Sequence, residues 1–423
     1  MQEDFLHYLW KFKKFRLNNL KSTQGEHILI KSFGDHNVNS GPDFFNAQII
    51  IGDQLWAGNV EIHIKSSDWF LHSHENDKAY DNVILHVVWE DDTQVFRKDN
   101  SIIPALELKG LVENEVLYNY KNLFIKQDKW INCESDFANI DDFILYNWLE
   151  RMYFERLERK ANDINQLLQD TKNDWEAVLF RMLMKNFGLN INGESFLSLA
   201  HSIDFSIIRK VQSKQHTMEA LLFGQAGLLN DDIEGAYFLS LKQEYHFLKQ
   251  KFNLQNHSVL PLKFFRLRPL NFPTIRLSQI ASLYNTQQGL FSKIIETQAI
   301  DGFYELFNLA TSEYWTNHYT FQKTSKSSKK VLTKSFINLL LVNTILPVKF
   351  AYSKQKGETS ENIIMDISNA IKSEKNSIVS AFNNLKQVSK TALQSQALIQ
   401  LKTKYCNNNR CLQCAIGNTI LNK

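Results

Sequence analysis

The stretch that decides the fold is GPDFFNAQIIIGDQLWAGNVEIHIKSSDWFLHSHENDKAYDNVILHVVWEDD, residues 41–92. Its apolar and β-branched runs predict three strands, over 45–51, 56–64 and 83–89. Residues 74–81 are typical of a short helix before the last strand, which is apolar enough to be buried on both faces. The pattern therefore predicts a β-hairpin followed by a β-α-β unit.

Polar side chains follow one face of the middle strand. Because side chains alternate along a strand, Glu61, His63 and Lys65 share a face, and Asp43 stands just before the preceding strand. Two carboxylates on neighbouring strands can share Mg²⁺ or Mn²⁺, which take oxygen ligands and keep waters for chemistry. His63 or Lys65 would then orient or deprotonate the attacking water. The structural alternative is a half-exposed strand with a polar outer face and a Pro-Asp turn before its partner.

This arrangement resembles the PD-(D/E)xK nuclease core, in which a Pro-Asp pair opens one strand and Glu-x-Lys lies on the next. Pro42-Asp43 and Glu61 match the first two elements, whereas His63 stands at the lysine position and Lys65 follows two residues later. The resemblance implies a restriction-endonuclease-like mixed sheet and hydrolysis of nucleic-acid phosphodiesters. Several such families place a substrate-contacting tyrosine on the following helix, which Tyr80 matches loosely.

Four histidines share the stretch: His63, His72, His74 and His86. Neutral imidazole is a ligand for zinc, iron and nickel. A His/Asp metallohydrolase acting on a small molecule is therefore a further hypothesis. His86 lies inside an apolar strand, where a hydrogen-bonded core histidine is expected.

The cysteines form a second candidate metal site. Three of the four lie in KYCNNNRCLQC, as Cys406, Cys411 and Cys414, and Cys133 is the fourth. Thiolates at this spacing suit Zn²⁺ or an iron–sulfur cluster, each of which takes about four ligands. The set resembles the iron–sulfur staple of some RecB-like nucleases, although Cys133 follows the candidate strands instead of preceding them. Packed thiols, or a redox Cys-x-x-Cys at Cys411 and Cys414, are the alternatives.

Further strings extend the resemblance over nearly the whole chain. The chain is similar to an uncharacterised bacterial family, domain of unknown function 2851. The similarity lies in the successive strings GPDF, WxGxVEIH, SDWxxHxH, DxxY and VILHVV, and in the later strings RLRPLNFPTIRLSQIA and RCLQCAIG. This resemblance implies the extent of the family region and supplies no mechanism.

Composition places the chain among ordinary soluble proteins. Its 423 residues predict two or three domains, with 43% hydrophobic and 22% charged residues. The first fifteen residues lack the apolar core of a secretory signal. No apolar run approaches the ~20 residues that span a bilayer. We therefore expect a cytoplasmic protein that does not enter a membrane.

Charge is distributed unevenly. Residues 321–423 carry 15 Lys and 1 Arg against 4 acidic residues, although the whole chain has a net charge of only +3. Such a basic region is typical of a surface that binds DNA or RNA, or of a lysine-rich surface that is simply solvated. Arg266, Arg268 and Arg276 interleave with phenylalanines, as phosphate binding and base stacking require. The alternative is a structural loop whose arginines pair with acidic helices.

The remaining pattern is mostly helical. Periodicity predicts helices over 5–15, 141–163, 174–187, 218–229, 237–252, 274–285, 333–345, 360–373 and 376–404, with a short strand over 102–108 and a break at Pro347. TSKSSKK, residues 324–330, is the best candidate linker. We predict an α/β core over 1–112, a helical domain over 113–322 and a basic helical region over 323–423.

The leading hypothesis from the sequence is a metal-dependent nuclease-like protein. Asp43 and Glu61 would hold the ion, and Lys65 or His63 would position the water. The alternative outside enzymology is a scaffold of the same fold that binds nucleic acid or protein without catalysis.

Overall fold

The computed structural model describes residues 1–124 and 129–422. The chain forms two compact units. The sheet unit comprises Met1–Trp148 and Leu401–Lys423, and the helical unit comprises Leu149–Gln400.

A mixed sheet organises the sheet unit. Its strands, within the described residues, are β1 Leu20–Lys21, β2 His27–Ser32, β3 Asp35–His36, β4 Phe44–Ile51, β5 Gln54–Lys65, β6 Val83–Glu90 and β7 Ala105–Glu107. The order is β1-β2-β4-β5-β6-β7, with β3 paired to β4. Neighbours from β1 to β5 are antiparallel, whereas β5, β6 and β7 run parallel. The predicted hairpin and β-α-β unit are therefore present.

Helices account for most of the remaining described chain. They are α1 Glu3–Lys11, α2 Asp68–Leu71, α3 Asn114–Phe124, α4 Asp142–Asp170, α5 Trp175–Phe187, α6 Leu189–His201, α7 Phe205–Val211, α8 Gln215–Gln225, α9 Ala236–Phe252, α10 Pro273–Thr286, α11 Leu290–Glu296, α12 Ile300–Leu306, α13 Lys334–Leu340, α14 Leu346–Lys356, α15 Glu361–Ala370, α16 Ser377–Leu385, α17 Ala392–Gln400 and α18 Ala415–Leu421. The prediction of a mixed sheet followed by a mostly helical chain is confirmed.

Apolar burial fixes α1 against the sheet. Leu6, Leu9 and Trp10 are fully buried, and the Trp10 indole N–H donates to the Phe33 carbonyl oxygen at 3.0 Å. The helix ends at Lys11, earlier than predicted, because Lys13 adopts a left-handed conformation with φ of 56°.

The connection from β5 to β6 differs from the single helix predicted over 74–81. It contains α2 and two 3₁₀ turns, His74–Asn76 and Lys78–Tyr80. Ser73 is left-handed at φ 60°, and extended Asp77 accepts a hydrogen bond from the Ala79 N–H, so neither continues a helix. These breaks aim successive side chains back at the sheet.

Close packing between α8 and α9 organises part of the helical unit. Gly224 lies where an added Cβ would come within 2.0 Å of the Tyr245 ring. The Tyr245 hydroxyl donates to Gln225 Oε1 at 2.8 Å. Buried Glu219 accepts hydrogen bonds from Tyr237 and Ser278, so its carboxylate is held by hydroxyl groups.

The predicted break at Pro347 is wrong. A π-helical turn, Leu341–Ile345, joins α13 directly to α14, and Pro347 lies in the first turn of α14. The wider turn accommodates a proline ring that lacks an N–H and would clash in a regular α-helix. The resulting helix, Lys334–Lys356, has 23 residues and is apolar enough to cross a membrane, contrary to the expectation from the sequence. However, 72% of its apolar window is buried within the protein, as in a core helix of a soluble protein.

The candidate linker lies within the helical unit, mostly exposed but anchored near its C-terminal end. The Ser328 N–H donates to the Thr316 carbonyl oxygen at 2.8 Å, and Lys330 is 1% exposed with its Nζ 2.9 Å from the same oxygen. The division between units falls instead within α4 and at Leu401. These limits differ from the predicted boundaries at 112 and 322, and residues 401–423 belong to the sheet unit.

We predict that Gly58→Ala destabilises the sheet unit. Gly58 pairs with Ala47, and an added Cβ would lie 2.4 Å from Ile84 Cγ2 and 2.6 Å from the Asn82 carbonyl oxygen. Overpacking against backbone should lower the free energy of unfolding by about 1–3 kcal/mol in urea denaturation. Gly110→Ala is the matched control, since no atom lies within 4 Å of its added Cβ. Equal urea midpoints for the two variants would contradict this account of the packing.

Candidate metal centre

The β4–β5 pairing brings the two predicted carboxylates together. Phe44 pairs with Val60, which places Asp43 beside Glu61. The Asp43 N–H donates to Glu61 Oε2 at 3.1 Å, and the Ile62 N–H donates to Asp43 Oδ2 at 3.0 Å. These two hydrogen bonds hold the Asp43 and Glu61 side chains next to each other at the open end of the β4–β5 hairpin.

The parallel β5–β6 pairing adds histidines. Glu61 pairs with His86, and His63 Nδ1 lies 2.8 Å from His86 Nε2. His63 Nε2 also lies 3.1 Å from His72 Nδ1 and 3.5 Å from Glu61 Oε1. His74 Nε2 lies 3.2 Å from Glu61 Oε1. One ligand atom from each of His63, His72 and His74 lies within 4.8 Å of the other two.

Helix α1 contributes two residues that the sequence analysis missed. His7 Nε2 lies 3.3 Å from Asp43 Oδ2, and Glu3 Oε1 lies 3.9 Å from His63 Nε2. Their spacing of four residues places both on one face of a helix. That spacing was visible in the sequence, but only the packing of α1 on the sheet connects it to Asp43 and His63.

Aromatic rings form one wall of the cluster. The Tyr80 ring stacks on His74 with centroids 3.7 Å apart, and Trp69 stands edge-on to His74 and His86 at 5.4 and 5.5 Å. Tyr80 also packs against the apolar cluster that contains Trp69 and Val83. In this position Tyr80 orients His74.

A cavity of about 230 Å³ opens beside this wall. Trp69, His74 and Tyr80 line it together with the cations Arg97 and Lys98. Glu75, Asp81 and Asp99 also line it, so a ligand in the cavity would contact His74 together with charges of both signs.

Burial controls the charges in the cluster. Glu61 is 4% exposed, and burial followed by the charge of Asp43 raises its pKa to about 9. Burial and the neighbouring His86 lower the pKa of His63 to about 2, and burial lowers that of His86 to about 4. Within the described chain, the ion-pair partners of Glu61 are His63 and His74. A divalent cation would stabilise Glu61 as a carboxylate and use neutral imidazoles as ligands, so the donor set fits a metal ion.

Lys65 lies away from this cluster. Its ammonium is 52% exposed and lies 3.8 Å from Asp92 Oδ2, while its backbone N–H donates to Asp68 Oδ2. The structure thus gathers Asp43, Glu61 and His63 and leaves Lys65 at the end of β5.

The three arginines proposed to contact nucleic acid lie in the helical unit. Arg276 is buried, donates to Gln279 Oε1 at 2.8 Å and to Asn271 Oδ1 at 2.6 Å, and stacks 3.5 Å from the Phe336 ring centre. It therefore supports its own loop. Arg268 lines a cavity of about 380 Å³ together with Arg276, and Arg266 stacks on exposed Phe265.

The predicted cysteine ligands also come together, in the sheet unit. Asn132, next to Cys133 in the chain, donates to Cys411 Sγ at 3.4 Å. Cys133, Cys406, Cys411 and Cys414 are all free thiols.

Comparison with known proteins identifies the family. The profile of the family described as Protein of unknown function (DUF2851) matches residues 3–377, so the chain belongs to this family. No curated protein and no solved structure matches the chain. The family match covers the histidine and carboxylate cluster and ends before Cys406.

We predict that metal-free protein loses stability as the pH rises from about 7 to 9. In this window folded Glu61, with its pKa near 9, keeps a proton that the unfolded chain has released. Unfolding then releases a proton and becomes easier at higher pH, by roughly 1 kcal/mol per pH unit. Burial lowers the pKa of His63, His74 and His86, so these three histidines are largely neutral in both states above pH ~7.

Urea denaturation at several pH values measures this slope. Glu61→Gln is the matched control, since it retains an acceptor for the Asp43 N–H and cannot titrate. A saturating divalent ion should flatten the wild-type slope. The assignment fails if wild type and Glu61→Gln have equal slopes without metal.

Proposed function

We propose that this member of the DUF2851 family is a metal-dependent hydrolase of nucleic-acid phosphodiesters. The observation that carries the proposal is the pair of hydrogen bonds that sets Asp43 beside Glu61, from the Asp43 N–H to Glu61 and from the Ile62 N–H to Asp43, with His63 next to Glu61. Asp43 and Glu61 match the two acidic positions of the PD-(D/E)xK core, whereas His63 stands where that core has its lysine. The hairpin followed by a parallel strand supports the restriction-endonuclease-like interpretation of the sheet.

Asp43 and Glu61 would hold the ion, with imidazole nitrogens of the histidine cluster completing its ligands. A bound divalent ion lowers the pKa of water and polarises a phosphoryl oxygen. A mixture of oxygen and imidazole donors favours Mn²⁺ or another first-row transition ion over Mg²⁺. We therefore expect Mn²⁺ to support the reaction better than Mg²⁺.

His63 is better suited to ligation than to proton transfer. A general base is most effective when its pKa lies near the working pH, whereas burial holds the pKa of His63 near 2. His72 is the exposed member of the cluster and lies 3.1 Å from His63. We assign His72 as the acceptor of the water proton, in place of Lys65.

The walls of the site would select and orient the substrate. Trp69 and Tyr80 exclude water from one side of His74, which strengthens electrostatic interactions there. Arg97 and Lys98 in the adjoining cavity carry donors suited to a phosphate group, which would compete with Asp81 for Lys98.

Two other functions are alternatives to hydrolysis of nucleic acid. Three histidine ligand atoms within 4.8 Å of one another favour a metallohydrolase whose substrate is small enough for a cavity of about 230 Å³. A scaffold that binds nucleic acid without hydrolysis retains the same fold, and its affinity would fall steeply with salt.

We predict that Asp43→Asn and Glu61→Gln each lower Mn²⁺-dependent cleavage at least ~10²-fold, because each removes a ligand charge from the ion. Both substitutions keep the side-chain oxygen that accepts a backbone N–H, so the fold should persist. Lys65→Ala is the matched control and should retain activity within ~3-fold, since an exposed ion pair contributes little.

The assay uses single-stranded and duplex DNA, RNA, and bis(4-nitrophenyl) phosphate as a small phosphodiester. Hydrolysis of the small ester alone would select the small-molecule hydrolase. Salt-dependent binding without turnover by metal-replete protein would select the scaffold. Loss of cleavage in Lys65→Ala equal to that in Asp43→Asn would overturn the assignment of roles.

A further inference from the structure

The four cysteines converge although 272 residues separate Cys133 from the next one, Cys406. All four belong to the sheet unit, in which residues 401–423 return to the N-terminal part of the chain. The neighbourhood of Cys133 contacts this returning segment directly. Asn132 donates to Cys411 Sγ at 3.4 Å and to Asn409 Oδ1 at 3.2 Å, and Lys402 Nζ donates to the Trp130 carbonyl oxygen at 2.7 Å.

The local backbone turns the C-terminal sulfurs inward. Cys406 and Cys411 each open a short 3₁₀ turn, Cys406–Asn408 and Cys411–Gln413, and Cys414 directly precedes α18. Gly417 permits this compact arrangement, because an added Cβ would lie 2.1 Å from the Cys411 carbonyl oxygen. Cys133, Cys411 and Cys414 are buried, and Cys406 is partly buried.

Hydrogen-bond donors and one positive charge surround the C-terminal sulfurs. Backbone N–H groups of Ile416 and Gly417 donate to Cys414, the Asn132 amide donates to Cys411, and the charge of Lys402 acts on Cys406. Donors aimed at sulfur tune metal–thiolate centres and have little to offer a neutral thiol.

The four sulfurs lie close enough together that each one acts electrostatically on the other three.

We propose that Cys133, Cys406, Cys411 and Cys414 form a four-thiolate metal centre that fastens the C-terminal segment to the sheet unit. Each thiol loses its proton to solvent as it binds, and the ion or cluster compensates the resulting charge. The centre rests on residues apart from the histidine cluster, and three of its four ligands lie beyond the family match at 3–377.

The spacing of the sulfurs favours an iron–sulfur cluster over a single zinc. Tetrahedral zinc with Zn–S bonds of about 2.3 Å holds its sulfurs ~3.8 Å apart. Among the described residues, ligand atoms of His63, His72 and His74 lie within 4.8 Å of one another, whereas no three cysteine sulfurs do. In a [4Fe–4S] cluster each thiolate binds a different iron atom, which permits a wider spacing of the sulfurs.

Metal and acid-labile sulfide analysis of the anaerobically purified full chain tests the proposal. We expect about four iron and four sulfide per chain, with visible absorption from thiolate-bound iron. Cys411→Ser/Cys414→Ser should lose both, whereas Glu61→Gln should keep both. This pair of variants separates the cysteine centre from the proposed catalytic centre, because neither substitution touches the other site.

Thiol titration of the native wild-type chain keeps the test independent of whether a variant folds. We expect four protected thiols that become reactive after treatment with a strong chelator. One zinc per chain that the cysteine double variant loses would support the four-thiolate centre and overturn the cluster. Wild-type protein without metal, whose thiols do not change their reactivity with chelator, would overturn the proposal.

Discussion

Strand β5 pairs with β4 on one side and β6 on the other, and the registers of these pairings decide which side chains meet on it. The antiparallel register sets Asp43 beside Glu61, and the parallel register sets His86 beside Glu61. Because side chains alternate along a strand, a slip of one residue in either pairing would replace this cluster by apolar side chains. The polar cluster and the apolar core therefore depend on the same backbone hydrogen bonds.

The cluster concentrates groups that are costly to bury. Glu61 is 4% exposed and His63 is 1% exposed, and the ion-pair partners of Glu61 within the described chain are imidazoles. A carboxyl group in such surroundings is neutral at pH 7 unless a cation compensates its charge. Binding of an ion at the proposed site would therefore link ion affinity to the stability of the sheet unit.

Helix α1 lies between the two candidate metal centres of the sheet unit. His7 and Glu3 approach Asp43 and His63, whereas the Tyr8 hydroxyl donates to Asn422 Oδ1 at 3.3 Å in the C-terminal segment. The segment that carries three of the cysteines therefore contacts the helix that completes the histidine cluster. A structural role for the cysteine centre would follow from this contact, since it would hold α1 in the position that the first centre requires.

Local patterns in the sequence determined the strands of the hairpin, the parallel strand Val83–Glu90 and the succession of a mixed sheet and helices. They also indicated Asp43, Glu61 and His63, because strand periodicity alone places such residues on shared faces. Three features were decided by tertiary structure. Ser73 and Asp77 replace a predicted helix by turns beside His72 and His74. The predicted linker, residues 324–330, lies within the helical unit, and the π turn continues the helix through Pro347. Packing between distant segments brings Glu3 and His7 to the cluster and leaves Lys65 outside it. It also brings Cys406, Cys411 and Cys414 into the same unit as Cys133. A local stretch of sequence carries backbone preference and periodicity, whereas contacts between distant segments form only when their apolar surfaces pack together.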